Sequence, residues 1–317
     1  MKTFLNILYE VFCVLGCLLG AGFISGAEVQ TFFVDFGWYG LIGIILSSII
    51  FILTICKSKN SINSTSNTRF NFLPYCQLFI AGAMLTGMAS VVSNMLNTSY
   101  YLILFVIGLL LFVATVFGIK FANFFNVIVS ALTIIILPIV VNSVNTTMPQ
   151  INTNFKLFSA IVYSALYSVI NIVACMPVIN ALSKKHSKIV GIASGIITCA
   201  LLCVIYIILS NNYVNADMPI LALINNKYLK LVYIVLLVVA MISTLFSTSS
   251  GVKQIFAKIK NNILESLCSC FAIVSISFVG FGWIIKYIYP VIGIAFFIQV
   301  ILNKLYKQPK KSQYITK

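Results

Sequence analysis

The chain has 317 residues, of which 61% are apolar and only 8% are charged, and its mean hydropathy is +1.09. This composition excludes a soluble globular protein and predicts a polytopic membrane protein with about ten spans of about 20 residues each. The formal net charge of +15 comes from short lysine clusters between apolar runs, which do not form the long basic face of a nucleic-acid-binding protein. We therefore expect the chain to contact the lipid bilayer and not nucleic acid.

The sequence also lacks the residue patterns of an enzyme or a metalloprotein. Its one histidine, His186, follows two lysines, and its nine cysteines contain no C-x-x-C pair and lie mostly within apolar runs. These features exclude a histidine-based metal site or a Ser-His-Asp triad inside the membrane, and they favour cysteines that act as small buried side chains. We predict that the protein is not an enzyme and holds no resident cofactor.

The first apolar segment is too long and too rich in glycine for a plain span. It covers the 33 residues 4–36, and as an unbroken helix it would be roughly 50 Å long, against about 30 Å of hydrocarbon. Four glycines lie within residues 16–26, and each interior glycine costs a helix roughly 1 kcal/mol relative to alanine. We predict a break near residues 20–22 that is filled by protein, an ion or a substrate. The alternative is that Gly16 and Gly20 only let another helix come close.

Nine further apolar runs complete a predicted set of ten spans. If the N-terminus is inside, sixteen of the 20 lysine and arginine residues fall on the inner side and four on the outer side, which predicts a plasma-membrane protein with both termini in the cytoplasm. The outer connection 211–229 is predicted to contain a short helix, either a lid or an inert interfacial helix. The predicted spans are 4–36, 38–56, 74–95, 100–118, 120–142, 157–182, 188–210, 230–250, 263–282 and 284–303.

Ten spans divide into two halves of five, and because five is odd the second half starts from the opposite face of the membrane. This arrangement predicts an inverted-topology repeat, with repeat one at about 4–142 and repeat two at about 157–303. Both repeats belong to one transmembrane domain that covers residues 1–317 and ends in a basic cytoplasmic tail, 304–317. The fold class is therefore predicted to be all-α, with ten helices in a 5+5 inverted repeat.

Polar side chains inside the spans are the candidates for function. Glu28 lies six residues after Gly22 in the outer half of span 1, where an ionisable group is costly to bury and therefore a functional candidate. The alternative places Glu28 among the outer headgroups. In span 6, four polar residues at i, i+3, i+4 and i+7 share one face, which should point to the bundle interior and bind substrate. These four residues are Ser164, Tyr167, Ser168 and Asn171.

A second polar patch lies in span 8. Ser243 and Thr244 are adjacent, and Ala240 lies one turn earlier, where its carbonyl is within reach of a side-chain hydroxyl. Oxygen-only groups of this kind suit a hard monovalent cation. Hydrogen bonding between helices explains the same residues and remains an alternative.

Residues 20–28, GAGFISGAE, followed by Phe32-Phe33 and Phe36-Gly37, resemble the GAGFxSGxE signature of the YkvI-like membrane proteins. The ten-span layout lets the resemblance cover essentially the whole chain. It implies a place near the amino acid–polyamine–cation transporter superfamily, with its LeuT-type 5+5 inverted fold.

The resemblance also implies roles for individual residues. In sodium-coupled members of that superfamily, carbonyls at the break in helix 1 and groups of helix 8 bind a cation. The matching residues here are Gly16, Leu19, Ala240, Ser243 and Thr244.

The free N–H groups beside the break, at Gly20, Ala21 and Gly22, are predicted to hold an anionic group of the substrate. Lys286 is predicted to pair with Glu28 as an outer gate, and proton coupling through Glu28 is the alternative to sodium. Span 6 contains no glycine, so the sequence leaves open whether span 6 is also discontinuous.

Two functions follow as hypotheses. The first is a secondary active transporter, a sodium-coupled symporter of a small solute such as an amino acid, that works by alternating access. The second is a transporter-like membrane subunit that senses a ligand, or serves a partner, without net transport. The sequence does not indicate the oligomeric state.

Overall fold

The computed structural model describes residues 2–61, 72–144, 157–183 and 185–305. These residues form helices joined by turns, and the part of the chain so described contains no β-strand. The inner loop 62–71 and the end of the predicted tail, 306–317, lie outside the described residues. The α-helices are α1 Lys2–Leu18, α2 Ala21–Ser25, α3 Ala27–Phe32, α4 Tyr39–Ser61, α5 Leu73–Leu96, α6 Tyr100–Phe117, α7 Ile119–Ser143, α8 Leu157–Ala181, α9 Ser187–Asn211, α10 Pro219–Leu223, α11 Lys227–Val252, α12 Asn262–Ser277, α13 Phe281–Trp283 and α14 Tyr289–Leu305. Two 3-10 turns, Val34–Phe36 and Lys253–Phe256, and a π-helix, Ile284–Ile288, complete the set.

Eight of the helical segments in the described residues are long and apolar enough to cross a membrane. The other two predicted spans correspond to shorter apolar helices, Thr3–Leu18 and Asn262–Ser277. The first of these is short because span 1 is interrupted after Leu18, and the second has only 16 residues. An all-helical membrane protein is confirmed, whereas the ten-span count and the 5+5 inverted repeat stay predictions.

The predicted break in span 1 is confirmed. Helix α1 ends at Leu18 and α2 begins at Ala21, so the interruption falls at residues 19–20. A second interruption follows at Gly26, whose φ of 82° separates α2 from α3. This left-handed conformation suits glycine because glycine has no Cβ to clash with the backbone.

Span 6 shows no break in the structure. Helix α8 is continuous although Pro177 lies inside it. A proline removes the hydrogen bond to the carbonyl four residues earlier, here the carbonyl of Val173. Nε2 of Gln77, from α5, donates to that carbonyl at 2.9 Å. Because the freed backbone group has a partner from a neighbouring helix, α8 can stay helical at membrane depth.

Span 1 lies at the centre of the helix packing. Helix α1 contacts α7, α8, α9 and α11, and α2 contacts α11. Leu19, Ala21 and Phe23, which flank the break, are fully buried. A Cβ on Gly16 would overlap the backbone carbonyl of Asn126 in α7, so Gly16 does serve close helix approach. The glycine-rich stretch therefore combines a close contact at residue 16 with a break at residues 19–20.

Candidate functional site

The two interruptions of span 1 bring Glu28 back onto the start of α2. In an unbroken helix, residues 22 and 28 would lie about 9 Å apart along the axis. In the structure, a Cβ on Gly22 would overlap the carboxylate of Glu28, so glycine leaves the room that this side chain occupies. The hydroxyl of Ser25 donates to the carbonyl of Gly22 at 3.1 Å, and the backbone N–H of Ala27 donates to that hydroxyl at 3.3 Å. These bonds connect the two short helices across Gly26.

The Glu28 side chain is buried, with only 5% of its surface exposed. Nδ2 of Asn171, from α8, is 3.4 Å from one carboxylate oxygen and also donates to the carbonyl of Tyr167 at 3.1 Å. Tyr167, Cys175 and Tyr289 lie within electrostatic range of the carboxylate. Within the described part of the chain, no lysine or arginine forms an ion pair with Glu28. A buried carboxylate of this kind is stable only if it binds a proton or a cation.

The predicted Glu28–Lys286 pair is not present among the described residues. Because the Glu28 side chain turns inward to Gly22, the residue of span 10 that approaches it is Tyr289, one turn beyond Lys286. The ammonium group of Lys286 lies 5.7 Å from the centre of the Tyr287 ring and interacts electrostatically with Asp35.

Asp35 lies in the outer 3-10 turn, beyond the end of α3. Burial raises the pKa of its carboxyl group, and a hydrogen bond with Tyr213 and the positive charge of Lys286 partly offset that rise. The charge of Lys286 therefore acts on Asp35, and no ion pair joins the two side chains among the described residues.

The predicted cation site is assembled only in part. Oγ1 of Thr244 is buried and has no hydrogen-bond partner among the described residues, and a Cβ on Gly20 would lie 2.9 Å from it. The hydroxyl of Ser243 donates to the carbonyl of Ala240 at 2.9 Å. Leu19 is buried beside the break, but Gly16 faces Asn126 and not α11. The structure therefore places Gly20 and Thr244 together and leaves Gly16 away from them.

The polar face of α8 is divided between two neighbours. The carbonyl of Ser164 accepts hydrogen bonds from Ser47 of α4 at 3.0 Å and from Ser168 at 2.8 Å. The hydroxyl of Ser164 donates within its own helix at 2.8 Å. Tyr167 and Asn171 instead reach towards Glu28, and the hydroxyl of Tyr167 is buried without a partner among the described residues. Ser164 thus connects α8 to α4 through its carbonyl and Ser168 bonds within α8, while Tyr167 and Asn171 lie near Glu28.

The structure adds residues that sequence reasoning did not select. Asn126 of α7 is fully buried and donates from Nδ2 to the hydroxyl of Ser247 at 3.2 Å. Tyr233 of α11 donates from its hydroxyl to the carbonyl of Ile24. An asparagine in the middle of an apolar span is a signal that could have found Asn126. Tyr233 and Tyr289 carry no comparable signal, because aromatic residues are common throughout the chain.

The short outer helix α10 covers the second interruption of span 1. Ile220 is fully buried, and its side chain would lie 2.8 Å from a Cβ on Gly26. In the same connection, the carbonyl of Val214 accepts a hydrogen bond from Nε2 of Gln30 at 3.1 Å. These contacts pack the connection against span 1, and the choice between a lid and an inert interfacial helix stays a prediction.

Two cavities border helices that pack near span 1, and neither is lined by the residues of the break. The outer cavity, of about 440 Å³, is bordered by Asp217 and by the start of α11 at Lys230. The inner cavity, of about 190 Å³, is bordered by Glu10 and by the start of α9. The residues that flank the break, Ala21 and Phe23, are fully buried.

The fold and this site define a helical, multi-span membrane protein whose first span is broken beside a buried carboxylate. The chain is similar to the uncharacterized membrane protein YkvI of Bacillus subtilis (strain 168), with 26% identity over 318 aligned residues that cover 89% of this chain and 90% of the relative. This similarity confirms the resemblance to the YkvI-like membrane proteins that residues 20–28 predicted. No family model matches the chain.

Proposed function

We propose that the protein is a secondary active transporter that binds a small solute at the break in span 1 and moves it together with a cation by alternating access. The observation that carries this proposal is the interrupted, fully buried helix with the Glu28 carboxylate over Gly22 and the unpartnered Thr244 hydroxyl against Gly20. Broken helices at the middle of the membrane are where secondary transporters bind substrates and coupling ions. The outer and inner cavities support alternating access.

The chemistry of the site favours an amino acid as the solute class. The ammonium group of an amino acid would neutralise Glu28, which has an amide but no ion-pair partner among the described residues. Its carboxylate would bind the N–H groups at the start of α2, which lack carbonyl partners within that helix. One ligand with two opposite charges therefore suits both parts of the break.

Sodium is the proposed coupling ion because an unpartnered hydroxyl oxygen lies against the break at Gly20. Proton coupling is the alternative, and it rests on Glu28, because a buried carboxylate can be neutralised by a proton as well as by a ligand. The two couplings use different residues, so they can be separated by substitution.

The experiment is the thermal stability of the detergent-purified protein, with and without sodium, across a panel of amino acids and other small solutes. A ligand at 100 times its Kd should stabilise the folded state by about 2.7 kcal/mol. We expect a rise in melting temperature that needs sodium and the solute together and is lost in the double variant Ser243→Ala/Thr244→Ala. The control is Ser275→Ala, an exposed serine of α12 whose hydroxyl donates within its own helix at 2.9 Å.

Three outcomes would change the proposal. A solute shift that is indifferent to sodium would replace sodium with a proton and direct attention to Glu28. Solute binding without accumulation in sealed vesicles would replace transport with ligand sensing. No shift with any solute, in protein that melts cooperatively, would contradict a solute site at the break.

A further inference from the structure

The inner cavity is lined by polar residues that are not part of the proposed transport site. It has a volume of about 190 Å³ and lies where the inner parts of α1, α7 and α8 meet the start of α9. Its polar lining includes Glu10, Asn123 and Ser183, together with His186. It does not include Gly20, Thr244 or Glu28.

Two oxygen atoms in this lining are buried and unsatisfied. One carboxylate oxygen of Glu10 accepts the backbone N–H of Ser183 at 3.1 Å, but the other, Oε2, has no partner among the described residues. Within the same part of the chain, Oδ1 of Asn123 also has no partner. A buried acceptor without a donor costs about 1–3 kcal/mol, so two of them beside one cavity favour the binding of a donor or a cation there.

The charge of the cavity limits what that ligand can be. Among the described residues, the only ion pair joins Lys253 and Glu265, at 3.7 Å, and Glu10 has none. The unsatisfied groups are both hydrogen-bond acceptors, and one belongs to a carboxylate, so the ligand that they favour is a cation or a donor. A monovalent ion would balance the single negative charge of the one carboxylate in this lining.

The size of the cavity indicates that such an ion keeps water. At about 190 Å³, the cavity leaves room for an ion together with several water molecules. Two protein oxygens then replace part of the hydration shell, and water supplies the remaining ligands.

We propose that the inner cavity is a binding site for a hydrated monovalent inorganic cation, held by Oε2 of Glu10 and Oδ1 of Asn123. This site does not rest on the proposed transport function, because its residues are separate from those at the break. Helix α7 connects the cavity to the region of the break. Asn126, one turn after Asn123, contacts Ser247, which is one turn after Thr244 on α11.

The test uses Glu10→Gln, which removes the charge but keeps an oxygen acceptor for the N–H of Ser183. The melting temperature of the purified full chain is measured against sodium, potassium and lithium at constant ionic strength, with N-methyl-D-glucamine chloride as the replacement salt. We expect a saturable rise in the wild type with at least one of the three ions. In Glu10→Gln, we expect the apparent dissociation constant to rise at least about tenfold.

Two controls separate this site from its neighbours. Glu265→Gln removes another inner carboxylate, one that is paired with Lys253, and should keep the wild-type response to the ion. Ser243→Ala/Thr244→Ala changes the break and should also keep that response, so failure of the transport proposal and failure of this proposal are distinguishable. If Glu10→Gln does not fold, Asn123→Leu removes the second oxygen and should weaken binding in the same direction.

Three results would overturn the proposal. The first is a Glu10→Gln protein whose ion titration equals that of the wild type. The second is an ion response that is lost in Ser243→Ala/Thr244→Ala and kept in Glu10→Gln, since the ion would then bind at the break. The third is a wild-type melting temperature that stays unchanged when any of the three ions replaces N-methyl-D-glucamine, which would show that none of them binds.

Discussion

Glu28 is the residue on which the chemistry of the site depends. Its carboxylate lies over Gly22, receives one amide contact from Asn171 and is almost fully buried. The cost of burying a charge is large unless the charge is neutralised, so this residue connects the stability of the folded protein to whatever binds there. Substitutions at Glu28 should therefore change ligand binding and stability in opposite directions.

Glu28→Gln should weaken binding of an amino-acid solute while leaving the unliganded protein at least as stable as the wild type. The amide keeps the shape of the side chain and removes the buried charge that a ligand ammonium group would neutralise. We expect the apparent Kd for the solute, measured by thermal shift, to rise at least about tenfold. Glu265→Gln is the matched control, and unchanged solute binding in Glu28→Gln would contradict the assigned role.

Gly22→Ala should destabilise the protein, because a Cβ at this position would overlap the Glu28 carboxylate. Forcing an extra methyl group into a packed site costs typically about 1–3 kcal/mol. The matched control is Gly108→Ala, in α6, where a Cβ would meet its nearest neighbour, Val274, at 3.7 Å. The free energies of unfolding, compared by denaturation in detergent, should fall for Gly22→Ala and stay equal or rise for Gly108→Ala. An equal effect at both positions would show that the fit around Gly22 is not specific.

At the scale of helices, span 1 is broken twice and span 6 is not broken at all. The difference lies in which backbone groups find partners. Pro177 frees the carbonyl of Val173, but Gln77 from α5 donates to it, so α8 continues. At Gly26 the backbone adopts a left-handed conformation, and α10 packs its Ile220 side chain against that turn. The outer end of the site is therefore closed by a contact between two short helices.

Ile220→Val should loosen this cover without unfolding the protein. Removal of one methyl group from a buried isoleucine costs about 0.5–1.5 kcal/mol. If α10 is a lid, the solute should dissociate faster from the variant, as measured by release of a radiolabelled solute from purified protein. Tyr228→Ala, at an 83% exposed residue near the start of α11, is the control and should change neither stability nor release. A lower melting temperature with unchanged release would show that α10 only supports the fold.

At the scale of the whole molecule, the distribution of basic residues predicts the orientation of the chain in the membrane, and the packing of the helices buries the break. The basic residues favour an inner N-terminus and C-terminus, and the residues that flank the break are fully buried. Glu28 is buried close to the break, in the interior of the helix packing.

A reporter that is active only in the cytoplasm should therefore work when it is fused after the last residue, Lys317. The same reporter inserted after Asn225, in the outer connection before α11, should be inactive, because the positive-inside distribution places that connection outside. Reporter activity in intact cells, normalised to the amount of fusion protein, makes the comparison. The reverse result at both positions would invert the assigned topology.

The sequence determined the class of protein, the approximate bounds of the helices and the approximate position of the break, and it selected Glu28 as a candidate. It could do so because apolar length, glycine content and an isolated carboxylate act locally, through the cost of placing backbone groups and charges in lipid. The resemblance carried by residues 20–28 belongs to the same local information and is confirmed by the similarity to YkvI.

Only the tertiary structure decided which polar groups meet. Ser164, Ser168 and Asn171 share one face of α8 but have different partners. The carbonyl of Ser164 accepts a hydrogen bond from α4, Ser168 donates within α8, and Asn171 reaches Glu28. The charge of Lys286 acts on Asp35, because the fold at Gly26 turns the Glu28 side chain inward. Gly16 contacts α7. Helix α8 stays continuous at Pro177 because Gln77, 96 residues before Val173 in the sequence, donates to the Val173 carbonyl. These outcomes depend on contacts between distant segments, and spacing along a single helix does not contain that information.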